Sequence, residues 1–291
     1  MSLILDAVIA GLLTGGIYAL MASGLTLIFG VMDIINVGQG ALVILGAYLS
    51  YVLQDKFHID LFAGLLITMP AMFLFGVLLE LAFIRPLKRD RTTLSILVTF
   101  AIALIIEGSL GLIFTNNIVQ LRGWYIDASF QIGGFYLAYI HVFSFILSIV
   151  LLGGLYVLLY RTKFGYSLRA SMQNRTAAEL IGINVERVSA ITFGIGVALA
   201  AAGGMAYGAT LAFNPSSLYD LISRLLVIII LGGMGSLRGA LIASLGMLVI
   251  EDVTAVLWSP VWASTVFFIL LVVIMLVRPQ GLLGQLEGRK Q

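Results

Sequence analysis

Nine long apolar runs divide the chain, and they constrain its fold more than any other feature. The runs lie at about 7–30, 34–53, 61–84, 93–114, 135–160, 189–213, 221–236, 239–257 and 262–277. An α-helix needs roughly 20 mostly apolar residues to cross the hydrocarbon core of a bilayer. The series therefore predicts an all-α transmembrane bundle of eight or nine membrane segments, with room for a broken or re-entrant one. We expect residues 1–291 to form a single transmembrane domain.

The composition excludes a water-soluble domain. Of the 291 residues, 61% are hydrophobic and 10% are charged, whereas soluble domains have about 45–50% apolar and about 25% charged residues. The formal net charge is only +2, so nothing in the charge favours binding to nucleic acid. The chain has no cysteine, which excludes disulfides and cysteine-based metal or redox sites.

The basic residues are distributed very unevenly between alternate loops. If nine segments alternate in direction, thirteen of the sixteen Lys and Arg residues fall on one side. Those residues are Arg85, Lys88, Arg89, Arg91, Arg161, Lys163, Arg169, Arg175, Arg187, Arg238, Arg278, Arg289 and Lys290. The other side receives Lys56 and Arg122, with Arg224 near an interface. Because cytoplasmic loops collect Lys and Arg, the segment 161–188 and the C-terminus are predicted to be cytoplasmic.

The cytoplasmic segment 161–188 contains the pattern of a short capped helix. Thr176-Ala177-Ala178-Glu179 fits a capping box, in which the Thr hydroxyl and the Glu carboxylate bond free backbone N–H groups. Gly182 stands where a left-handed residue can end the helix. We predict a helix of about two turns within 174–183. A helix this short is marginal alone in water, so it either docks against a partner or lies on the membrane as an amphipathic connector.

Polar amides interrupt the second apolar run. Asn36 and Gln39 stand in a segment long enough to span the membrane, where an unpaired amide costs several kcal/mol. Gly38 and Gly40 would let the backbone bend or approach a neighbour. Two interpretations stay open: a broken helix that lines a transport pathway, or a glycine-packed helix whose amides bond to adjacent helices.

Three acidic residues lie well inside predicted spans. Glu107 is in the fourth run, and Glu251 with Asp252 is in the eighth. Intramembrane carboxylates usually face the bundle interior or a cavity. A proton relay is one interpretation, and internal pairing is the one that we favour. His58 and His141 are isolated and have no metal-site spacing, so no metal site is predicted.

Small residues recur every four positions in the sixth run, at Gly196, Ala200, Gly204 and Gly208. Gly11 and Gly15 form a shorter version in the first run. In lipid, helices associate through close backbone approach, and small residues permit it. We predict that these stripes are tight helix–helix seams.

Several stretches resemble one family along nearly the whole chain. The first is Gly30-Val31-Met32 followed by Ile35-Asn36-Val37-Gly38-Gln39-Gly40 and Leu45-Gly46-Ala47-Tyr48. The others are Leu231-Gly232-Gly233-Met234-Gly235-Ser236 with Gly239-Ala240, the alanine–glutamate run of the loop 161–188, and Arg278-Pro279-Gln280-Gly281-Leu282-Leu283-Gly284. Together they resemble the permeases of branched-chain amino-acid ABC importers, a family that also includes urea and amide permeases. One departure is visible, since the family often has Phe-Ala-His-Gly where this chain has Val37-Gly38-Gln39-Gly40.

The resemblance implies a permease subunit that forms half of a translocation path for leucine, isoleucine and valine in a bacterial inner membrane. Urea, short amides or a related small solute are the alternatives within the family, and an ion-coupled secondary transporter is the alternative outside it. The implied partners are a second and distinct permease subunit, two cytoplasmic ATPase subunits and an external substrate-binding protein. ATP and Mg would be bound by the ATPases, because this chain contains no G-x-x-x-x-G-K-[ST] phosphate loop.

The candidate residues fall into two groups, and none of them is catalytic. The implied ATPase-coupling helix comprises Thr176, Ala177, Ala178, Glu179, Leu180, Gly182 and Ile183. The candidates for the translocation path are Asn36, Gly38, Gln39, Gly40, Glu107 and Glu251.

Overall fold

The computed structural model describes residues 2–87, 90–132 and 135–283. Lys88, Arg89, Gly284, Arg289 and Lys290, which the sequence analysis used, lie outside these ranges. The described helices are α1 (Ser2–Met32), α2 (Gln39–Phe57), α3 (Leu61–Leu79), α4 (Arg91–Phe114), α5 (Trp124–Asp127), α6 (Tyr139–Arg161), α7 (Lys163–Gln173), α8 (Arg175–Leu180), α9 (Val185–Thr210), α10 (Leu218–Gly232), α11 (Leu237–Leu257) and α12 (Pro260–Val277). A π-helical turn, Glu80–Ile84, extends α3, and a 3₁₀ turn, Pro215–Ser217, precedes α10.

The predicted all-α membrane bundle is confirmed. In the described part of the chain, eight helical segments are long and apolar enough to cross a membrane. These are Leu3–Met32, Leu61–Ile84, Arg91–Phe114, Tyr139–Arg161, Val185–Thr210, Pro215–Gly232, Leu237–Leu257 and Pro260–Val277. Each corresponds to one of the nine apolar runs, and the remaining run, 34–53, corresponds to α2, which does not qualify.

The loops that carry most of the basic residues meet at one end of the bundle, here called the basic end. Thr92 Oγ1 donates to the Asp33 carbonyl oxygen over 3.1 Å, and Arg85 forms an ion pair with Glu186. The Leu282 amide donates to the Leu231 carbonyl oxygen over 2.6 Å, which holds the segment after α12 at this end. At the opposite end, the Arg122 amide donates to Gln54 Oε1 over 2.9 Å, and an isolated β-bridge joins Val119 to Phe213.

The second apolar run is not one continuous helix from 34 to 53. After α1 ends at Met32, residues 33–38 re-enter the bundle without helical structure. The Val37 amide donates to Thr99 Oγ1 over 3.1 Å, and Thr99 lies about 12 Å into α4 at a rise of 1.5 Å per residue. Helix α2 therefore starts within the membrane depth and leaves through the opposite end, where its polar C-terminal residues lie. The polar residues Gln39, Gln54, Asp55 and Lys56 lower the mean hydropathy of α2, which explains why it does not qualify.

Helix α10 begins in the same way from the other side. The chain leaves α9 at Thr210, turns at the end opposite the basic end and descends through Pro215–Ser217 before α10 starts. The α10 residues Leu218 and Ile222 lie directly against Gly40 of α2, so close that a Cβ on Gly40 would be 3.1 Å from the Ile222 backbone nitrogen. The two helix starts thus lie side by side inside the bundle, and the helices leave towards opposite ends.

The order of elements is repeated with inverted direction. In α1–α4 and again in α9–α12, a long helix is followed by a re-entrant segment, a helix that starts inside the bundle and two further helices. Helix α3 packs along α9 as α11 packs along α1. Helices α6–α8 lie between the two repeats in the chain. Inverted repeats are a recurrent architecture of transporters, in which half-helices meet near the transported solute.

The predicted glycine seams are confirmed. Gly196 lies against Gly24 of α1, and Gly204 lies against the backbone of Val43 in α2. In the shorter stripe, Gly15 lies against Leu245 of α11. A Cβ at any of these positions would collide with a neighbouring helix, so the small residues set how closely the long helices approach.

The run predicted at 135–160 starts with a strand instead of a helix. Ser129–Ile132 and Phe135–Ala138 form an antiparallel hairpin, in which Ser129 pairs with Ala138, and α6 begins only at Tyr139. A short apolar run of aromatic and aliphatic residues fits a strand as well as a helix. This correction shortens the fifth span by four residues.

Candidate functional site

Helix α8 at the basic end is capped at both of its ends, by a side chain at its N-terminus and by backbone conformation at its C-terminus. Asn174 is the N-cap, and its Oδ1 accepts from the Ala177 amide over 3.0 Å. The predicted capping box is therefore wrong. The helix starts one residue before Thr176, and the Glu179 carboxylate accepts from Arg175 Nε over 3.4 Å instead of bonding a backbone amide. The asparagine side chain already satisfies the first turn.

The C-terminal cap of α8 is the one predicted from Gly182. Its φ is +87°, in the left-handed region where glycine is favoured. The Gly182 amide donates to the Glu179 carbonyl oxygen and the Ile183 amide donates to the Ala178 carbonyl oxygen, both over 3.0 Å. This pair of bonds is a Schellman motif, and it gives a six-residue helix with a fixed end.

The tip of α8 exposes apolar side chains outside the membrane bundle. Leu180 is 84% exposed and Ile181 is 74% exposed, whereas Ala178 is buried against the rest of the chain. Of the other predicted coupling residues, Thr176, Ala177 and Glu179 are exposed on the same helix, and Ile183 is half-buried. Large apolar side chains exposed beside charged loops mark a surface that another protein or a membrane surface covers.

The predicted residues of the re-entrant segment lie in the interior of the chain. Asn36 Nδ2 donates to Gln39 Oε1 over 3.0 Å, and Gln39 Nε2 donates to the Gly196 carbonyl oxygen over 3.3 Å. Both side chains are buried. Gly38 lies against the Thr99 carbonyl oxygen, and Gly40 against α10. The amides therefore fasten the re-entry to α9; their role in a translocation path stays a prediction.

Helix α10 carries a polar face at membrane depth, which sequence reasoning missed. Tyr219 is 43% exposed and the Asp220 side chain is 57% exposed. Ser216 and Ser223 are exposed beside them, while the intervening residues of the helix are buried. The polar face is defined as Glu107, Ser216, Tyr219, Asp220 and Ser223. The signal is visible in the sequence, since polar residues recur at helical spacing between apolar ones.

Glu107 belongs to this polar face. It lies on α4 and is half-buried, and Tyr219 donates its hydroxyl to Glu107 Oε2 over 2.6 Å. A carboxylate facing hydrocarbon is costly, by about 2.5–3.5 kcal/mol for an acidic residue at a helix centre. By contrast, α12 exposes Val272, Val273 and Leu276, which suit lipid. The polar face therefore requires water or a polar protein surface next to it.

Glu251 is paired inside the bundle. Arg224 on α10 directs Nη1 to Oε1 and Oε2 of Glu251, over 2.6 and 2.5 Å, and Nη2 to Ser264 Oγ on α12 over 3.2 Å. Its Nε donates to Asp220 over 2.9 Å. One arginine thus joins three helices of the second repeat. Sequence reasoning placed Arg224 near an interface and did not find this partnership, because the paired residues are 27 positions apart.

A second polar contact braces the end opposite the basic end, between the buried Tyr125 and the exposed Asp60. The Tyr125 hydroxyl donates to Asp60 Oδ2 over 2.8 Å, and the other carboxylate oxygen of Asp60 accepts from the Phe62 amide over 2.9 Å to cap α3. Burial and the hydrogen bond to Asp60 raise the pKa of the Tyr125 phenol well above its usual range. The phenol therefore stays a hydrogen-bond donor throughout the neutral range.

Nothing in the described ranges resembles a metal centre, since they contain no group of three or more His, Cys, Asp or Glu residues that could hold an ion. The polar groups instead form structural pairs and one exposed face. Such an arrangement suits the passage of a solute.

Comparison with known families identifies the chain. A family model described as "Branched-chain amino acid transport system / permease component" matches residues 7–276. The chain belongs to the branched-chain amino acid permease family. It is a multi-pass membrane protein, as its eight apolar helical segments also indicate.

Curated members of the family align along almost their full length. The permease is 26% identical to the high-affinity branched-chain amino acid transport system permease protein BraD of Pseudomonas aeruginosa, over 98% of this chain and 97% of BraD. It is 26% identical to LivH of Salmonella typhimurium, over 96% and 95%. It is 30% identical to a probable branched-chain amino acid transport permease protein, LivH, of Methanocaldococcus jannaschii, over 91% and 88%. No solved structure matches the chain.

Proposed function

We propose that this permease forms half of the translocation path of an ATP-driven importer for leucine, isoleucine and valine. The family and its curated relatives, which are named for branched-chain amino acid transport, support the substrate class. A second, distinct permease subunit would complete the path. An external substrate-binding protein would deliver the solute, and two cytoplasmic ATPase subunits would bind ATP and Mg.

The observation that carries the ATP-driven assignment is the exposed apolar tip of α8. Leu180 and Ile181 protrude at the basic end on a helix whose two caps fix its length. A short rigid helix with an apolar tip can seat in a groove of a partner and move with it as one body. Helix α8 is the coupling helix in this proposal, and the ATPase is the partner.

The charge distribution supports the orientation. The described loops at the basic end carry Arg85, Arg91, Arg161, Arg175 and Arg187, and positively charged loops remain in the cytoplasm. The C-terminal segment 278–283 lies at this end through its hydrogen bond to α10. The C-terminus and α8 are therefore cytoplasmic in the proposal, on the side where ATP is available.

The polar face is the surface of this chain that we assign to the path. It combines two carboxylates, a phenol and two hydroxyl groups with apolar neighbours, which suits a zwitterion with an aliphatic side chain. The second permease subunit would cover the other side of the path. Charged and polar groups exposed at membrane depth are otherwise costly.

The deciding experiment measures leucine uptake into membrane vesicles that contain the complete importer. Depleting ATP while the ion gradient is held should abolish uptake, and collapsing the gradient while ATP is held should leave it intact. The opposite pattern would establish an ion-coupled secondary transporter. Competition with excess isoleucine, valine, urea or acetamide then assigns the substrate, because only the amino acids should reduce leucine uptake.

A further inference from the structure

A groove between α3 and α9 opens on the side of the bundle near the basic end. Its volume is about 390 Å³, within the range of small-molecule sites. Its apolar walls are formed by Phe73, Leu74, Val77, Leu81, Ala190 and Ile191. Its polar end is formed by Arg85, Asn184, Glu186 and Arg187.

The groove lies next to a region where α3 and α9 pack closely. Gly194 of α9 lies against the side chains of Phe73 and Val77, and Gly76 of α3 lies against Val197. From this contact towards the basic end, α3 continues into the π-helical turn Glu80–Ile84. A π turn shifts the helical register, and Leu81 and Arg85 line the groove beside α9.

The shape and depth of the groove match one acyl chain. From Phe73 to Leu81 the apolar wall along α3 runs about 12 Å at a rise of 1.5 Å per residue. Leu74 is 61% exposed and Leu81 is 40% exposed, so the wall is open towards the surrounding hydrocarbon. The apolar part lies within the span Leu61–Ile84, and the polar end begins where that span ends.

The charge at the polar end favours an anion. Arg85 pairs with Glu186, so these two charges compensate each other, and each side chain remains about half exposed. Arg187 adds a second arginine at the same end and is exposed. The polar end therefore carries one positive charge in excess, located at the level of lipid headgroups. Basic pockets between transmembrane helices on the cytoplasmic side bind anionic lipid headgroups.

We propose that the α3/α9 groove is a binding site for one anionic phospholipid, with the phosphate group at Arg187 and Arg85 and an acyl chain against Leu74, Val77 and Leu81. The site does not depend on the transported solute. It lies on the outer side of the seam between α9 and α3, so an occupied groove would stabilise the packing of the two inverted repeats against each other.

The test uses tryptophan fluorescence in the full-length chain, reconstituted in nanodiscs with the subunits that copurify with it. The three native tryptophans, Trp124, Trp258 and Trp262, lie near the end opposite the basic end and are replaced by Phe. Leu81→Trp then reports on the groove, and Leu74→Trp serves as a second reporter. Leu276→Trp is the matched reference, because Leu276 is 80% exposed near the basic end of α12 and does not line the groove.

Quenching by phosphatidylglycerol with brominated acyl chains is compared with quenching by brominated phosphatidylcholine. At Leu81→Trp, the relative association constant should favour phosphatidylglycerol about fivefold, the effect of one basic side chain near an anionic lipid. At Leu276→Trp the two lipids should quench equally. Arg187→Gln should remove the preference, Arg187→Lys should keep it, and Arg161→Gln, a basic residue at the same end but outside the groove, should leave it unchanged.

Three results would overturn the proposal. Equal preference at the groove and the reference reporters would mean ordinary lipid contact. A preference that survives Arg187→Gln would come from another surface. Absence of quenching at both groove reporters would mean that protein covers the groove. None of these outcomes depends on transport activity, so they are independent of the proposed importer function.

Discussion

Arg224 on α10 donates through Nη1 to both carboxylate oxygens of Glu251 on α11, over 2.6 and 2.5 Å. Both side chains are mostly buried, with 14% and 11% of their surface exposed. The pair fixes helix α10 to its neighbour α11, at a depth where neither charge could be left alone.

Glu251→Leu should therefore destabilise the permease strongly, by about 3–5 kcal/mol, because it leaves the Arg224 guanidinium buried without its main partner. The double variant Arg224→Leu/Glu251→Leu should be more stable than the single one, since it removes both charges. Thermal unfolding of the detergent-purified protein measures both. Asp220→Asn is the control, because its carboxylate is mostly exposed and should contribute less than about 1 kcal/mol. A double variant less stable than Glu251→Leu would contradict this account.

The amide pair of the re-entrant segment gives a second prediction. Gln39→Leu removes the acceptor of Asn36 Nδ2 and the donor to the Gly196 carbonyl oxygen, so a buried amide is left unsatisfied. The expected loss is about 1–3 kcal/mol of unfolding free energy. Gln173→Leu on α7 is the matched control, since Gln173 is exposed. Equal melting temperatures for the two variants would show that the amides do not hold the re-entry.

If α8 is the coupling helix, changes in it should abolish transport without preventing assembly of the importer. Gly182→Val places a β-branched residue at a φ of +87°, a left-handed conformation that costs about 1–2 kcal/mol for a side-chain-bearing residue. Together with Glu179→Ala, it should abolish leucine uptake by the importer while the chain remains in the membrane with its partners. ATP hydrolysis, uptake and copurification are measured on the same preparation.

Gly153→Ala on α6 is the control for this pair, because a Cβ there would meet no neighbouring atom. It should leave uptake unchanged. Unchanged uptake after both Glu179→Ala and Gly182→Val would refute the role of α8.

The polar face predicts water at membrane depth. Because the chain has no cysteine, single cysteines can be introduced without background reaction from this chain. In the assembled importer, Ser223→Cys and Tyr219→Cys should react with a charged, water-soluble methanethiosulfonate, since the reagent needs a thiolate in water. Val272→Cys and Val273→Cys on the apolar face of α12 should not react. Equal reactivity at the two faces, or protection of both polar-face cysteines, would exclude an aqueous path along α10.

Much of this fold is accessible from the sequence because its main signals are local. Apolar runs of the required length identified the eight spans, and Gly182 identified the end of α8 from the backbone conformation that glycine permits. Asn174 was overlooked as the cap because Thr176 and Glu179 match the capping pattern equally well. Both Asn174 and Thr176 are residue types that cap helices, and the sequence does not show at which residue the helix starts.

The features that the sequence does not predict depend on the direction in which side chains and helices point, or on contacts between residues far apart in the chain. Hydropathy averages over a window, so it merged the re-entry at 33–38 with α2 and did not register the alternation of polar and apolar residues along α10. The pairing of Arg224 with Glu251 and of Tyr219 with Glu107 joins residues far apart in sequence, and no local pattern encodes it. The inverted repeat is likewise not visible in the sequence, because it relates the order and direction of helices in α1–α4 and α9–α12. Such a relation does not require matching residues.

The start of α2 inside the bundle has a consequence for how the protein is made. A segment with Gln39 at one end and Gln54, Asp55 and Lys56 at the other is a poor substrate for insertion by hydrophobicity alone. Its largest packing surface is α9, which is complete only at Thr210, about 150 residues later in the chain. At 5–20 residues per second, that delay is roughly 8–30 s. During biogenesis α2 must therefore wait for its main packing partner, and its final position is acquired after α9 has emerged from the ribosome.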